Sequence, residues 1–537
     1  MSEPWSWESK LSVFDKRLRA FNEGYRQNLV LLADDRDEIS YLLTSYFNSA
    51  PTQNFTCVRV YSRYLDRRGF LRAIACSLLR DYAGIDKNLD ELLHASEITL
   101  PLTASLLKEL FKKENVSFLE IIEVINKFIN ETGKKCILII EDFLALAELF
   151  PSFFQDFSKF LILQRSCMTV LTSSAPARAE KVIGNELNLL FGNFEKLYIS
   201  EQDFFASYRC LKNSLAPISP SPLFTAFFVN MVGSHSMHYD LMARAIRVHY
   251  RADDEGGSLI KILTETLHEP EAYFFQKFIQ RIDLVKVSHK DATVIIRILL
   301  ALAQGYARLR EIASVVDCDA KSLAVRLEKL VNTQYITSYG DIYKISDPLF
   351  SFWLSRVFKP RFLSALFDST KSQAAWRMTV ENDFVAFKEE FIKNGVTRVL
   401  ELVGAFKDDY IRTGKHKYNL PLIHKTKIVS YPEKNTHIFI GEGKEIIFAA
   451  IKEGSAQDGD VIEFIERARG FRSRRVKKIF IAMDSFSSSA RLIAKNHKLV
   501  TWDASDINRL RALYNKPMMP HSEDKDYQNE HANSSTF

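Results

Sequence analysis

Residues 29–47 read LVLLADDRDEISYLLTSYF. An apolar strand, an eight-residue turn and an amphipathic helix follow one another, the layout in which a phosphate-binding loop joins a strand to a helix. The working pattern of that turn is G-x-x-x-x-G-K-[ST]. Here it reads Ala33-Asp34-Asp35-Arg36-Asp37-Glu38-Ile39-Ser40. Ala33 and Glu38 stand at the two glycines, Ile39 at the lysine, and only Ser40 fits. Such a loop holds phosphates with backbone N–H groups, a helix N-terminus and one ammonium. Asp34, Asp35, Asp37 and Glu38 put four negative charges there, against one Arg36. Like charges at ~4 Å repel by about 1–4 kcal/mol, depending on the local dielectric. The plainer alternative is an acidic helix cap on an ordinary strand–helix unit, since acids suit a helix N-terminus.

The remainder of the chain bears on that choice. Its 537 residues suffice for about three or four domains. A hydrophobic share of 47% supplies packed cores, and 40 phenylalanines point to large helical ones. The net charge of +6 permits nucleic-acid contact without requiring it. Six scattered cysteines without a CxxC pair imply reduced thiols in a cytoplasmic compartment, not a disulfide frame or a zinc site. MSEPWSWESK lacks the pattern of a signal peptide, and no apolar stretch is long enough for a spanning helix, so no membrane is expected.

Apolar runs alternate with helical patterns over the first 200 residues. Strands are expected at 29–33, 55–62, 134–143, 168–174 and 196–200, with helices at 38–48, 68–83, through much of 86–133 and at 151–163. Continuous apolar strands between helices predict a buried parallel sheet. Residues 201–288 read as helices only. Helices at 291–305, 308–316 and 321–334, then the short strands YITSYG and DIYKIS, have the order of a winged helix. A last α/β region has a helix over 381–404, strands 425–431, 436–441, 445–452, 477–484 and 499–503, and helices at 458–470, 487–496 and 504–514.

This order of motifs resembles the archaeal-type branch of the signal-transduction P-loop ATPases (AAA/STAND-like). IIEDF (139–143) is similar to that family's second nucleotide motif, TVLTSSAPARAEKVI (169–183) to its sensor segment, and YKISDPLFSFWL (343–354) to the end of its winged helix. The region 381–516, ending in VTWDASDINRLRALY, resembles a C-terminal domain of the restriction-endonuclease fold. The resemblance implies an α/β chain. Residues 1–200 would form a degenerate P-loop ATPase-like domain, 201–288 a helical lid and 289–350 a winged helix. Linker helices would span 351–380, the endonuclease-like domain 381–516 and a disordered tail 517–537.

In the family, the acids matching Glu141 and Asp142 orient Mg²⁺ with the loop hydroxyl, here Ser40, and activate water. Ser173 and Arg178 match sensor positions. The alternative is that Glu141 and Asp142 cap the next helix or pair with Arg36. For DNA, the helix 321–334 offers Lys321, Ser322, Arg326 and Lys329 opposite a buried Leu323–Leu327–Leu330–Val331 face. Seven basic residues against six acids over 291–346 make a weak phosphate footprint. RARGFRSRRVKK (467–478), with Arg472, Arg474 and Arg475, is a second basic run, or a solvated loop. Restriction-type nucleases need an acid on one strand and acid-x-lysine on the next. Here that slot reads Ala450-Ile451-Lys452, and HIFIG (437–441) carries no aspartate. Lys452 is thus a relic candidate alone.

Two motifs departing together favour a non-catalytic ATPase-like regulator or scaffold. It needs no cofactor and works through a protein partner of unknown identity, through DNA, or through its own copies. Two alternatives stay open: an active ATP-dependent switch using ATP and Mg²⁺ with a divergent loop, and a DNA-binding transcription or defence factor.

Overall fold

The computed structural model describes residues 6–33, 36–49, 55–63, 65–186, 194–199, 204–233, 235–288, 291–363, 369–413, 416–470 and 476–520. The fold is α/β, and the chain divides into two compact units, Met1–Glu201 and Gln202–Phe537.

The first unit is built on five parallel strands, β1 (Asn28–Ala33), β2 (Phe55–Tyr61), β3 (Lys135–Glu141), β4 (Cys167–Ser173) and β5 (Phe194–Ile199). Their order is β2-β3-β4-β1-β5, so β1 lies inside the sheet. The inner strands β1, β3 and β4 are largely apolar and almost wholly buried because both faces are covered, whereas the edge strands β2 and β5 are half-open and carry Arg59, Glu195 and Lys196. Val30, Leu32, Leu138 and Ile140 pack on one side with Phe70, Phe118, Ile125 and Phe157 of helices Arg67–Ala83, Phe118–Thr132 and Phe153–Leu163. Leu29, Leu31, Ile137 and Ile139 face the other way, against Phe14, Phe21, Ile39 and Leu43. That alternation is the two-residue period of a strand. The expected parallel sheet is therefore present, with each strand shifted by at most two residues at either end.

The second unit opens with helices, with no strand among its described residues before Ile336. A two-stranded antiparallel hairpin, β6 (Ile336–Ser338) and β7 (Tyr343–Ile345), follows helices Ala292–Ala303, Leu309–Val316 and Ala320–Asn332. The run SDPLFSFWL has a physical explanation. Asp347 caps the helix Pro348–Trp353 by accepting from the Phe350 N–H at 3.0 Å, and it accepts from Arg281 Nη1 at 2.8 Å. Burial pushes this carboxyl up, but His238, His235, Arg281 and Lys277 outweigh that and hold it below the usual range. Gly233 faces Pro348, where an added Cβ would lie 2.7 Å from the ring.

A mixed sheet of order β10-β11-β12-β13-β14 completes this unit: β10 (Ile423–Tyr431), β11 (Thr436–Gly443), β12 (Ile446–Lys452), β13 (Val476–Ala482) and β14 (Val500–Trp502). The first two joins are antiparallel and the last two parallel. Three expectations fail here. The helix expected over 381–404 is two helices, because Asn394 accepts from the Thr397 N–H and starts a new one at Gly395. A hairpin of β8 (Asp409–Thr413) and β9 (His416–Leu420) was not expected. Its inward positions include the polar Asp409 and Thr413, so hydrophobic alternation does not announce it. Finally, residues 517–520, expected to open a disordered tail, are held. Asn508 bonds both ways to the Met519 backbone and Asn230 both ways to Met518.

Candidate functional site

The carboxyl ends of β1, β3 and β4 bring the ATPase-like residues together, the edge where α/β sheets bind ligands. Asp34 and Asp35 lie outside the described residues. Ile39, at the lysine position, is 1% exposed and belongs to the core that includes Leu31 and Leu43. Its side chain therefore faces the sheet and not the loop.

Ser40 Oγ donates to Glu141 Oε2. The other carboxylate oxygen, Oε1, accepts from Arg59 Nε at 2.5 Å. Arg59 also reaches Thr44 Oγ1 at 2.8 Å and the Ser40 carbonyl at 3.0 Å. One guanidinium from β2 thus binds the acid at the end of β3 and the helix that carries Ser40. Glu141 is buried at 4% exposure. A magnesium ion at this place would need the Ser40 hydroxyl and the Glu141 carboxylate together, and both are already engaged around a fixed positive charge. The residues present do not fit ATP and Mg²⁺.

Arg36, one of the two alternatives offered for the acids, makes its bonds elsewhere and acts on Asp142 through its charge. Arg36 donates to the Tyr61 hydroxyl at 2.7 Å, lies over the Tyr61 ring at 4.9 Å and reaches Asp37 at 3.3 Å. Asp142 takes a left-handed backbone with φ 56°, makes no side-chain cap to the next helix, and lies 3.6 Å from Arg63 Nε. Burial raises its carboxyl pKa, with Arg63, Arg36 and Arg178 opposing. Ser62 Oγ ties the strand end down by donating to the carbonyls of Glu141 at 2.8 Å and Asp142 at 2.7 Å. Of the sensor candidates, Ser173 Oγ accepts from the Ala175 N–H at 3.1 Å, and the exposed Arg178 lies 3.6 Å from Glu148 and acts on Asp142 through its charge. Sequence reading missed Arg59. The available signal was a lone cation inside the otherwise apolar strand FTCVRVY.

On the helix Ala320–Asn332, Lys321 and Lys329 are exposed and Ser322 is half-buried. Arg326 is occupied: its Nε donates to Asp291 at 2.6 Å, and it also bonds to the Ser322 hydroxyl. Ala324 and Val325 lie exposed between the lysines, Val325 at 64%. The hairpin turn is stitched to β8. Gly340 bridges Ile411, Asp341 N donates to the Tyr410 carbonyl at 2.9 Å, and Arg412 N to the Tyr339 carbonyl at 3.2 Å. Gly340 has φ 83°, and a Cβ there would lie 2.3 Å from the Tyr410 oxygen, so only glycine fits. Beneath this seam Arg308 grips Asp409 with two bonds, 2.6 and 2.8 Å. Arg472, Arg474 and Arg475 lie outside the described residues.

In the last sheet, Ile438 of β11 and Ala450 of β12 are register partners and lie buried in one cluster. Lys452 Nζ donates to Asp460 Oδ1 at 3.0 Å and to the Lys434 carbonyl at 2.7 Å. Glu463 is held by Lys434 and Arg467, Glu401 by Lys393, and Glu445 by Lys477. One helix-borne carboxylate therefore meets the lysine, and the strand positions for acids are apolar. Among the described residues no group of three or more His, Cys, Asp or Glu side chains is placed to hold a metal ion. None of the six cysteines forms a disulfide, and no helix there is long and apolar enough to cross a membrane.

No protein-family model matches this sequence, and no curated protein matches it. Among solved structures the chain is similar to the Walker-type ATPase PABY2304 of Pyrococcus abyssi, with TM-score 0.47 and 17% identity, over 65% of this chain and 96% of that one. It is also similar to the ORC2 protein of Aeropyrum pernix, with TM-score 0.37 and 10% identity, over 72% and 96%. For the ORC1 protein of the same organism in complex with DNA the values are 0.34 and 13%, over 72% and 95%. At these scores the fold assignment rests on the strand order and register themselves.

Proposed function

We propose that this chain is a non-catalytic regulator or scaffold of ATPase-like architecture that binds neither ATP nor magnesium. The observation that carries the reading is the Arg59 guanidinium, held by the Glu141 carboxylate, the Ser40 carbonyl and Thr44. A phosphate chain needs glycines, a lysine and a free metal position. This loop offers Ile39 turned into the core and an acid already neutralised from within. A nuclease role is disfavoured on the same logic, since Ala450 and Ile438 offer no oxygen to a metal beside Lys452. The reading is tested by calorimetric titration of the full chain with ATP, with and without Mg²⁺. No binding heat is expected up to millimolar nucleotide, and micromolar affinity would overturn it in favour of an ATP-dependent switch.

A second reading, DNA contact through the helix Ala320–Asn332 in the manner of a winged helix, rests on exposed Lys321 and Lys329. Arg326 is already engaged by Asp291 and the hairpin turn by β8, which removes two of the elements that a winged helix would present to DNA. Two lysines would give a slope of about −2 in log affinity against log salt. The Ala324–Val325 patch between them supports protein contact instead. Salt-dependent DNA affinity with a slope of that size, abolished by Lys321→Ala with Lys329→Ala, would favour DNA. Absence of a salt slope removes this reading.

A further inference from the structure

β10 is an edge strand: β11 pairs with one side, and no strand among the described residues pairs with the other. Residues 424–430 are all exposed, so both faces of that run are open. Thr426, Ile428 and Val429 are β-branched, Ile428 is 42% and Val429 54% exposed, and no proline interrupts the strand before Pro432. An uncovered edge of this length presents a row of N–H and C=O groups to another strand. We propose that the other strand is β10 of a second copy, paired antiparallel about a two-fold axis at Ile428, so that two five-stranded sheets become one.

The lysines choose the register. Directly opposed residues of an antiparallel pair share a face, so a symmetric pairing must centre on a residue. Centred on Lys425 or Lys427, a lysine faces its own copy. Centred on Thr426, Lys425 faces Lys427. Like charges directly opposite are disfavoured. Centred on Ile428, Lys427 faces Val429, Lys425 faces Tyr431 and Thr426 faces Ser430, and the whole run 425–431 is used without a like-charge pair. Lys427 also lies 3.7 Å from Glu442 of its own chain, which moderates its charge. The two lysines thus block the registers centred on 425, 426 and 427, and the one centred on Val429, which they also admit, pairs only residues 427–431, so the longer pairing about Ile428 is favoured.

The test is sedimentation of the full chain across micromolar concentrations, with two variants of opposite sign. Val429→Lys sets a lysine against Lys427 of the second copy and should weaken the dimer about tenfold, because the contact occurs twice. Val429→Glu sets an acid there and should tighten it by a similar factor. Position 429 is exposed, so thermal unfolding of both variants should match the parent and exclude misfolding as a cause. A monomer at high micromolar concentration, a dimer indifferent to both variants, or two changes of the same sign would each overturn the proposal. None of these outcomes depends on whether ATP binds.

Discussion

Two sheet edges in this molecule lie where catalytic groups would be expected, and they depart from their patterns in opposite directions. At the end of β3 the acids match: Glu141 and Asp142 are in place, while the loop's lysine position holds a core isoleucine. At the end of β12 the lysine matches: Lys452 is in place, while the acid positions hold Ala450 and Ile438. Each leftover charge has been met from a neighbouring element, Glu141 by Arg59 of β2 and Lys452 by Asp460 of a helix. A charge left alone in a closed site is expensive, and an internal counter-charge makes the fold self-sufficient there. The difference lies in the burial of the acid that removal of the cation would strand. Side-chain exposure is 6% for Glu141 and 27% for Arg59, against 17% and 20% for Lys452 and Asp460. The first edge should therefore be a stability determinant and the second a minor one.

That contrast can be broken by mutation. Arg59→Met leaves Glu141 buried and unpaired and should cost about 3–5 kcal/mol. Adding Glu141→Gln should recover at least half, since the amide no longer carries the stranded charge. Chemical denaturation followed by circular dichroism reads both, and a neutral Arg59→Met would sink the comparison.

A smaller loss, about 3 kcal/mol, is expected from Asp409→Asn at the Arg308 seam, a buried pair away from either edge. Burial pushes the Asp409 carboxyl up, but bonds from Arg308, Tyr514 and the Lys407 N–H outweigh it and hold the folded pKa below the usual value. A depressed folded pKa means the stabilisation is complete above the unfolded value, near 4, and is lost as pH falls through the folded one. Stability measured from pH 7 downward should therefore drop on the acid side in the parent, with a shallower drop in the variant. Equal acid slopes would show that the pair contributes no pH dependence.

The smallest effect is expected from Lys452→Met, about 1–2 kcal/mol, because its partner Asp460 keeps partial access to water. If this variant proves as damaging as Arg59→Met, the two edges are equivalent and the distinction drawn from burial fails.

Local sequence determined a great deal. Continuous apolar runs specified the inner strands β1, β3 and β4, since a strand covered on both faces is held to that composition. Ile39 and Ala450 could be read directly as departures from their motifs. Asp347 and Pro348 marked a helix start that Arg281 then secures. What sequence could not decide were meetings between distant residues. Arg59 and Glu141 are 82 positions apart, and their contact depends on the register of β2 against β3 and on where the helix Arg36–Ser49 docks. Arg36, nearer in sequence to the loop, goes to Tyr61 instead. The hairpin β8–β9 was invisible because Asp409 earns its buried place from Arg308, 101 residues away. Period and composition follow from each residue's own element. Charge pairing, the seam at Gly340 and the held residues 517–520 follow only from how elements pack, and there the tertiary structure alone decides.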